Sequence, residues 1–394
     1  MVWPLEAGHE DAGELRVAEA NMTFTVRRLS EDEFFGLKTS WGELLERSDA
    51  DPLFMSWAWQ VSWWETWNQA LELELLLLGV YSESDELVGL APLYLKSVRT
   101  PVGWRVRRLH VIGNAWKLGP TVRTEYVGLI VDRTYQKPVM RRLADCLAGF
   151  AWDEMIVADA SPRSMNLLEP ALSESMGIAR LVRSEAEGVL VPVESGYRRW
   201  LERLGKNTRL KAFNRRAVFE SEVAGEYVPW DDPESFLKEL NQFHRERWGK
   251  PCFDRHAVRF HLTFLSRLGV GQLARLSALK AKGQVVSVLY DVQAGNRVYN
   301  LQAGFMESFH PKLSLGTLHL GYAIEAAFND DTVIGYDLLA GSGKNTFYKS
   351  RFQGEQVVFT TVEYVRSPML KLAYGARACL PQQLVSSVNR FFRL

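Results

Sequence analysis

Residues 283–328 read GQVVSVLYDVQAGNRVYNLQAGFMESFHPKLSLGTLHLGYAIEAAF. Two runs rich in Val, Leu and Tyr predict neighbouring strands at Gln284–Val292 and Arg297–Phe305. A turn-forming loop, MESFHPKLSLG, then opens a helix over Thr317–Asn329. Its Leu320, Ile324, Ala327 and Phe328 recur at helical spacing and mark a buried stripe. Unpaired backbone N–H groups at a helix start attract anions, and glycine lets a phosphate approach the chain. Ser314, Leu315, Gly316 and Thr317 are therefore candidates for holding a cofactor pyrophosphate. The same residues also read as an ordinary cap, with Ser314 or Thr317 bonding the first turn.

A further strand, Thr332–Leu339, leads into GSGKN at 341–345. This is not a phosphate-binding P-loop. The first glycine of that pattern falls on Leu338, and Asn345 offers no hydroxyl to a magnesium ion. Asp337 and Tyr336 alternate across the strand, so one of them points to each face. Tyr348 and Lys349 follow after the turn. A tyrosine there can protonate a leaving thiolate, and the adjacent ammonium can hold a phosphate or carboxylate. The competing reading packs Tyr348 on the sheet and leaves Lys349 in solvent.

Working outward, the C-terminal part also carries a helical region at 196–221, helices at Pro233–Trp248 and Arg255–Leu268, and a strand at Gln272–Lys280. The N-terminal part follows the same plan. A strand at Thr23–Arg28 precedes helices at Glu31–Arg47 and Ser56–Asn68. Strands follow at Glu72–Tyr81, Glu86–Lys96, Val106–Ile112 and Tyr126–Val131. A helix at Gln136–Phe150, a strand in DEMIVADA, a helix at Ser164–Glu174 and a strand at Gly188–Val193 complete it. The repeat is one of element order. It implies two packed halves with a cleft between them, divided as 22–193 and 194–365. A loose leader at 1–21, with Met22 an alternative start, and a basic amphipathic tail at 366–394 complete the division.

The chain has 394 residues with 47 basic and 47 acidic side chains, so net charge argues for no particular partner. Cys146, Cys252 and Cys379 are too few and too scattered for a disulfide framework or a zinc site. The histidines show no metal-ligand spacing, so no metal is expected. A reducing cytoplasm fits, and neither a signal peptide nor a membrane-spanning run is read.

His244 and Trp248 share a helix face, as a general base beside an aromatic wall or as a packed pair. Arg203, Lys206, Arg209, Lys211, Arg215 and Arg216 cluster without an intervening acid. They read either as a solvated face or as a site for a phosphorylated donor, RNA or an anionic lipid-linked acceptor. Trp57, Trp59, Trp63, Trp64 and Trp67 form helical stripes, most simply a core, with a sugar-stacking platform as the minority reading. The tail interleaves Arg366, Lys371, Arg377, Arg390 and Arg393 with apolar residues. It suits either packing on the protein or peripheral contact with the inner face of an anionic membrane.

Taken in order, DPLFMSWAWQVSWWETW, ELVGLAPLYL, LGKNTRLKAFNRR, FHRERWGKPCF, the opening stretch and YDLLAGSGKNTFYKSRF resemble the CelD-like, FemAB-like branch of the GNAT acyltransferase superfamily. The resemblance implies an α/β (α+β) protein of two tandem GNAT-like domains. Each would be a mixed, mostly antiparallel twisted sheet flanked by helices. It implies a donor site at Ser314–Thr317, where Leu315 stands in place of the family's frequent proline. Acyl transfer would use His244 or Asp337 as base, Tyr348 as acid and Lys349 beside them. Trp248, Arg209, Arg215, Arg216, Tyr299 and Gly341 would contact substrate. The donor would be acyl-CoA and the acceptor a sugar or envelope precursor. The alternatives are an aminoacyl-tRNA-dependent transferase and a non-catalytic scaffold in polysaccharide assembly.

Overall fold

The computed structural model describes residues 23–99, 103–194, 196–341 and 349–378. The leader, the glycine loop with Tyr348, Cys379 and the tail beyond 378 lie outside these residues.

The N-terminal half starts with β1 (Thr25–Leu29), α1 (Glu31–Gly36), α2 (Lys38–Glu46) and α3 (Trp57–Trp67). Ser30 and Glu33 cap α1 reciprocally, so the polar residues at its start set where the helix begins. Ser56 caps α3, and four of its five tryptophans are buried. The tryptophan stripes are thus core. Next come β2 (Glu74–Tyr81), β3 (Leu87–Arg99), β4 (Arg105–Val111), the short β5 (Ile130–Val131), α4 (Gln136–Gly149), β6 (Glu154–Ala160), α5 (Pro162–Met176) and β7 (Ala179–Pro192).

The C-terminal half opens with α6 (Tyr197–Arg203), α7 (Lys206–Arg209), a π-turn at Leu210–Asn214 and α8 (Arg216–Glu222). The helical region expected there is therefore broken, and the wider turn rotates the basic residues after it relative to those before it. The half continues with β8 (Gly225–Pro229), α9 (Pro233–Trp248), α10 (Arg255–Ser266), β9 (Gln272–Ala281), β10 (Gln284–Ala294) and β11 (Arg297–Phe305). Then follow α11 (Leu315–Phe328), β12 (Gly335–Gly341), β13 (Glu355–Val365) and α12 (Pro368–Ala378). No described helix is long and apolar enough to cross a membrane.

Among the described residues one 13-stranded sheet runs through both halves, in the order β1-β2-β3-β4-β6-β13-β7-β12-β11-β10-β9-β8, with β5 on β3. The last strands are exchanged. β13, from the end of the chain, lies antiparallel between β6 and β7, and β7 pairs with β12 of the other half. Each half thus completes its sheet with a strand of the other. One apolar core accordingly spans the joint, from Trp59 and Tyr94 to Phe260, Tyr299 and Tyr364.

Among the described residues two pairs of strands are parallel, and both splay. β11 and β12 pair only from Arg297↔Gly335 to Tyr299↔Asp337, although both continue beyond. β4 and β6 pair only from Arg108↔Glu154 to His110↔Ile156. In the N-terminal half the chain itself fills the gap, with Val127 bridging Ala160. That path shortens the strand expected at Tyr126–Val131 to its last two residues. In the C-terminal half the gap opens into a cleft.

Candidate active site

The cleft has a volume of about 420 Å³ and is lined by both halves. The N-terminal half contributes Phe54, Trp59, Trp67, Arg123 and Glu125. The C-terminal half contributes Phe253, Asn300, Gln302, Ala340 and Lys349, among others. Trp59 sits edge-on to Phe54 at 4.9 Å and to Phe260 at 4.8 Å, which makes an aromatic floor.

Glu125 and Lys349 meet on one peptide unit. The Ala340 N–H donates to the Glu125 carboxylate at 3.2 Å from each oxygen, and Lys349 Nζ donates to the Ala340 carbonyl at 2.8 Å. Lys349 also reaches the Leu339 carbonyl at 3.2 Å. Burial raises the pKa of Glu125, against the pull of Arg123 and Lys349. Burial lowers that of Lys349, against the pull of Glu125 and Asp337. A carboxylate and an ammonium whose pKa values approach each other in a closed cleft are suited to proton transfer and charge stabilisation. Arg123 is fixed by Asp159, at 2.7 and 2.8 Å, and lies 3.2 Å from Glu125.

Behind the cleft a polar network joins the halves. Tyr126 donates to Asp337 Oδ2 at 2.5 Å, and Tyr299 donates to Asp51 Oδ2 at 2.8 Å. Arg297 lies between them, 3.8 Å from Asp51 and 3.6 Å from Asp337. Asp337 and Tyr299 are fully buried. Their place is this joint and not the lining of the cleft, which corrects the expected roles of base and substrate contact.

His244 is held on α9 with its Nε2 3.0 Å from the Ala303 carbonyl, and burial lowers its pKa. It does not line the cleft, so it leaves the candidate catalytic set. The histidine at the cleft is His261, with Nδ1 3.2 Å from the Tyr290 hydroxyl. Its Nε2 has no partner among the described residues, and burial lowers its pKa to about 3, so the ring is neutral. Trp248 is 60% exposed and stacks with Arg247, so it walls nothing. Gly341 ends β12 opposite Glu187.

A second cavity, about 120 Å³, lies at the start of α11. Asn207, Thr208, Lys211, Ser314, Thr317, Arg351 and Phe352 line it. Ser314 makes no side-chain cap to the helix backbone, and its Oγ lies 3.2 Å from Thr317 Oγ1. Leu315 and Gly316 face inward. Leu315 packs with Phe219 and Leu318, and a Cβ on Gly316 would lie 2.6 Å from the Phe305 ring. Gly316 thus has a packing reason of its own. Of the basic cluster, Lys211 lines the cavity, and Arg209 and Arg215 do not. Arg216 pairs with Glu325 and lies 3.9 Å over the Tyr322 ring, which makes it a packing group. The segment from Lys349 to Phe352 divides the two cavities. Lys349 faces the cleft, and Arg351 and Phe352 face the helix start.

Glu125, Arg123 and His261 were not singled out from the sequence. Glu125 carries no local motif, and its hydrogen-bond partner Ala340 is 215 residues away. Among the described residues no group of three or more His, Cys, Asp or Glu is placed to hold a metal ion.

Parallel strands that part beside a helix start, in a mixed sheet flanked by helices, define a tandem GNAT-type fold. Residues 197–350 match the acetyltransferase (GNAT) domain family, so the C-terminal half carries a GNAT-type domain. The structure is similar to that of FemX, with a TM-score of 0.58 at 12% identity over 85% of this chain and 96% of that one. It is similar to L-PGS from Bacillus licheniformis, with a TM-score of 0.50 at 12% identity over 93% and 99%. It also resembles the C-terminal domain of a putative lysylphosphatidylglycerol synthetase from Agrobacterium fabrum, with a TM-score of 0.51 at 9% identity over 90% and 98%. At these identities the likeness is one of fold. None of the curated proteins matches the chain by sequence at a significant level.

Proposed function

We propose that the protein transfers an acyl group from acyl-CoA to an amine or hydroxyl of a sugar or cell-envelope precursor. The observation that carries this reading is the pairing of Glu125 and Lys349 on one peptide in the cleft where β11 and β12 part. In this reading the donor's phosphates rest at the start of α11, against its first N–H groups, Ser314, Thr317, Lys211 and Arg351. The acyl end passes the segment 349–352 into the cleft. Glu125 accepts the proton of the attacking group as that group's bond to the acyl carbon forms, and when the carbon–sulfur bond breaks the CoA thiolate leaves with that proton. The Lys349 ammonium stabilises the negative charge that grows on the acyl oxygen. The aromatic floor of Phe54 and Trp59 suits the apolar face of a sugar ring.

The test is calorimetric titration of CoA. The wild type should bind, and Lys211→Ala should weaken binding about tenfold, the loss expected for about 1.4 kcal/mol of phosphate contact. Wild-type protein that takes up no CoA at millimolar concentration overturns the choice of donor. Once a donor is in hand, Glu125→Gln should lower the transfer rate about 10²–10⁴-fold. One observation favours aminoacyl-tRNA as the donor instead. Arg199, Arg203 and Lys206 are exposed next to Asn207 of the α11 cavity, a surface that suits a polyanion. Salt-sensitive retention of tRNA by protein that ignores CoA would decide for it.

A further inference from the structure

Two residues next to the reacting pair have left-handed backbones although neither is glycine. Tyr126 has φ 54° and Leu339 has φ 57°. Such a conformation brings Cβ against the backbone and persists only where surrounding contacts hold it. Tyr126 directly follows Glu125. Leu339 directly precedes Ala340, and the two carbonyls that seat Lys349 are those of Leu339 and Ala340.

One carboxylate ties both turns together. Asp337 Oδ2 accepts the Tyr126 hydroxyl at 2.5 Å, and Asp337 Oδ1 accepts the Leu339 N–H at 2.8 Å. Arg297 stands 3.6 Å from Asp337 and 5.4 Å over the Tyr126 ring, and Phe359 closes on the same ring edge-on at 4.7 Å. Both oxygens of Asp337 are thus engaged, and the side chain is sealed from solvent.

We propose that Asp337 is a positioning residue whose two oxygens brace the two left-handed turns, presenting Glu125 from one half to the Lys349 seat of the other. It never touches substrate. It acts through Tyr126 on one side and through the Leu339–Ala340 peptide on the other. The inference rests on the proposed function only in calling Glu125 and Lys349 the reacting pair. The brace itself is a matter of geometry.

The probe is the titration of Lys349, followed by carbon-13 NMR of reductively methylated protein, with Lys349→Arg to assign the resonance. The charged groups acting on Lys349 are Glu125, Asp337 and Arg123. Tyr126→Phe removes one oxygen and leaves the ring packing in place. If the brace holds, this variant folds, water enters the loosened seat, and the Lys349 titration moves up toward that of an ordinary lysine. Asp337→Asn breaks the same brace, because its single oxygen serves one donor and its amide cannot accept the other, but it also removes a negative charge that favours the Lys349 proton, so its upward shift should be smaller than that of Tyr126→Phe. If Asp337→Asn does not fold, Tyr126→Phe carries the test. A folded Tyr126→Phe that melts earlier while Lys349 titrates as in the wild type overturns the proposal and leaves Asp337 a plain interface contact. The two readings fail separately. If Glu125→Gln and Lys349→Met abolish transfer while Tyr126→Phe changes neither rate nor titration, the brace is wrong and the proposed function stands. If Tyr126→Phe shifts the titration but Lys349→Met leaves transfer intact, the brace stands and the proposed function falls.

Discussion

Asp51 makes the joint between the halves sensitive to pH, and Asp51→Asn isolates that sensitivity. Its Oδ1 takes the N–H groups of Leu53 at 3.0 Å and Phe54 at 2.8 Å, and its Oδ2 takes the Tyr299 hydroxyl at 2.8 Å. Burial raises its pKa from 3.8 to about 6, against Arg297 and these hydrogen bonds. The folded state therefore holds the Asp51 proton more tightly than the unfolded chain does. Between pH 4 and 6 the folded state binds more protons, so this group's contribution to stability is full below pH 4 and is lost as pH rises through 6. At about 1.4 kcal/mol per pH unit the loss totals about 3 kcal/mol, part of it shared with Asp337 through Arg297. Asparagine cannot titrate. Its oxygen keeps the Leu53 and Phe54 contacts, and the Tyr299 hydroxyl can turn to accept from its amide. Loss of the counter-charge to Arg297 adds an offset, so the slope is the quantity to read. Urea unfolding of both proteins from pH 4.5 to 7.5 should show the variant gaining on the wild type by about 2 kcal/mol. Parallel curves would refute the reasoning. A wild type that gains on the variant as pH rises would mean that Arg297 outweighs burial.

Trp59→Phe should cost about 2–4 kcal/mol in urea unfolding, because it removes the indole bond to Thr124 (2.9 Å) and leaves a void against Phe264 (5.0 Å); a loss below about 0.5 kcal/mol would deny that α3 and α10 pack as described. Gly321→Ala should cost about 1–3 kcal/mol and lower the melting temperature, since the new Cβ would lie 2.2 Å from the Ala212 carbonyl oxygen; an unchanged melting temperature would mean that α11 does not rest on the π-turn. Tyr374→Phe should cost about 1.5–3 kcal/mol, because the hydroxyl lies 2.8 Å from Glu154 and 2.9 Å from Glu363. Hydrogen exchange should then rise in α12 before it rises in α9, and equal exchange in both would argue against this anchor.

Where local signals were complete, the chain could be read residue by residue. α9 spans Pro233–Trp248 as expected, because Asp232 caps it, Pro233 suits its first turn and Gly249, with φ 72°, ends it. β11 spans Arg297–Phe305 as expected, bounded by Gly295 and a polar loop. The strand β13, EQVVFTTVEYV, has no counterpart among the expected elements, although its Val, Thr, Phe and Tyr residues carry an ordinary strand signal. The sequence signal for β7 covers only Gly188–Val193. The strand begins at Ala179, because β13 supplies a partner from Ala179 to Leu190.

The sequence by itself determined most of the elements, the GNAT resemblance and the candidacy of Lys349. Tertiary structure alone decided the strand exchange, since β13 finds β6 about two hundred residues away and nothing local to either strand names the other. It also decided which polar residues face the cleft. Asp337 and Glu125 are both carboxylates near a strand end, and a sequence window treats them alike. Folding seals Asp337 between Tyr126 and Leu339 and turns Glu125 toward Ala340. Their roles follow from burial and from partners brought in from the other half, and those are properties of the packed chain.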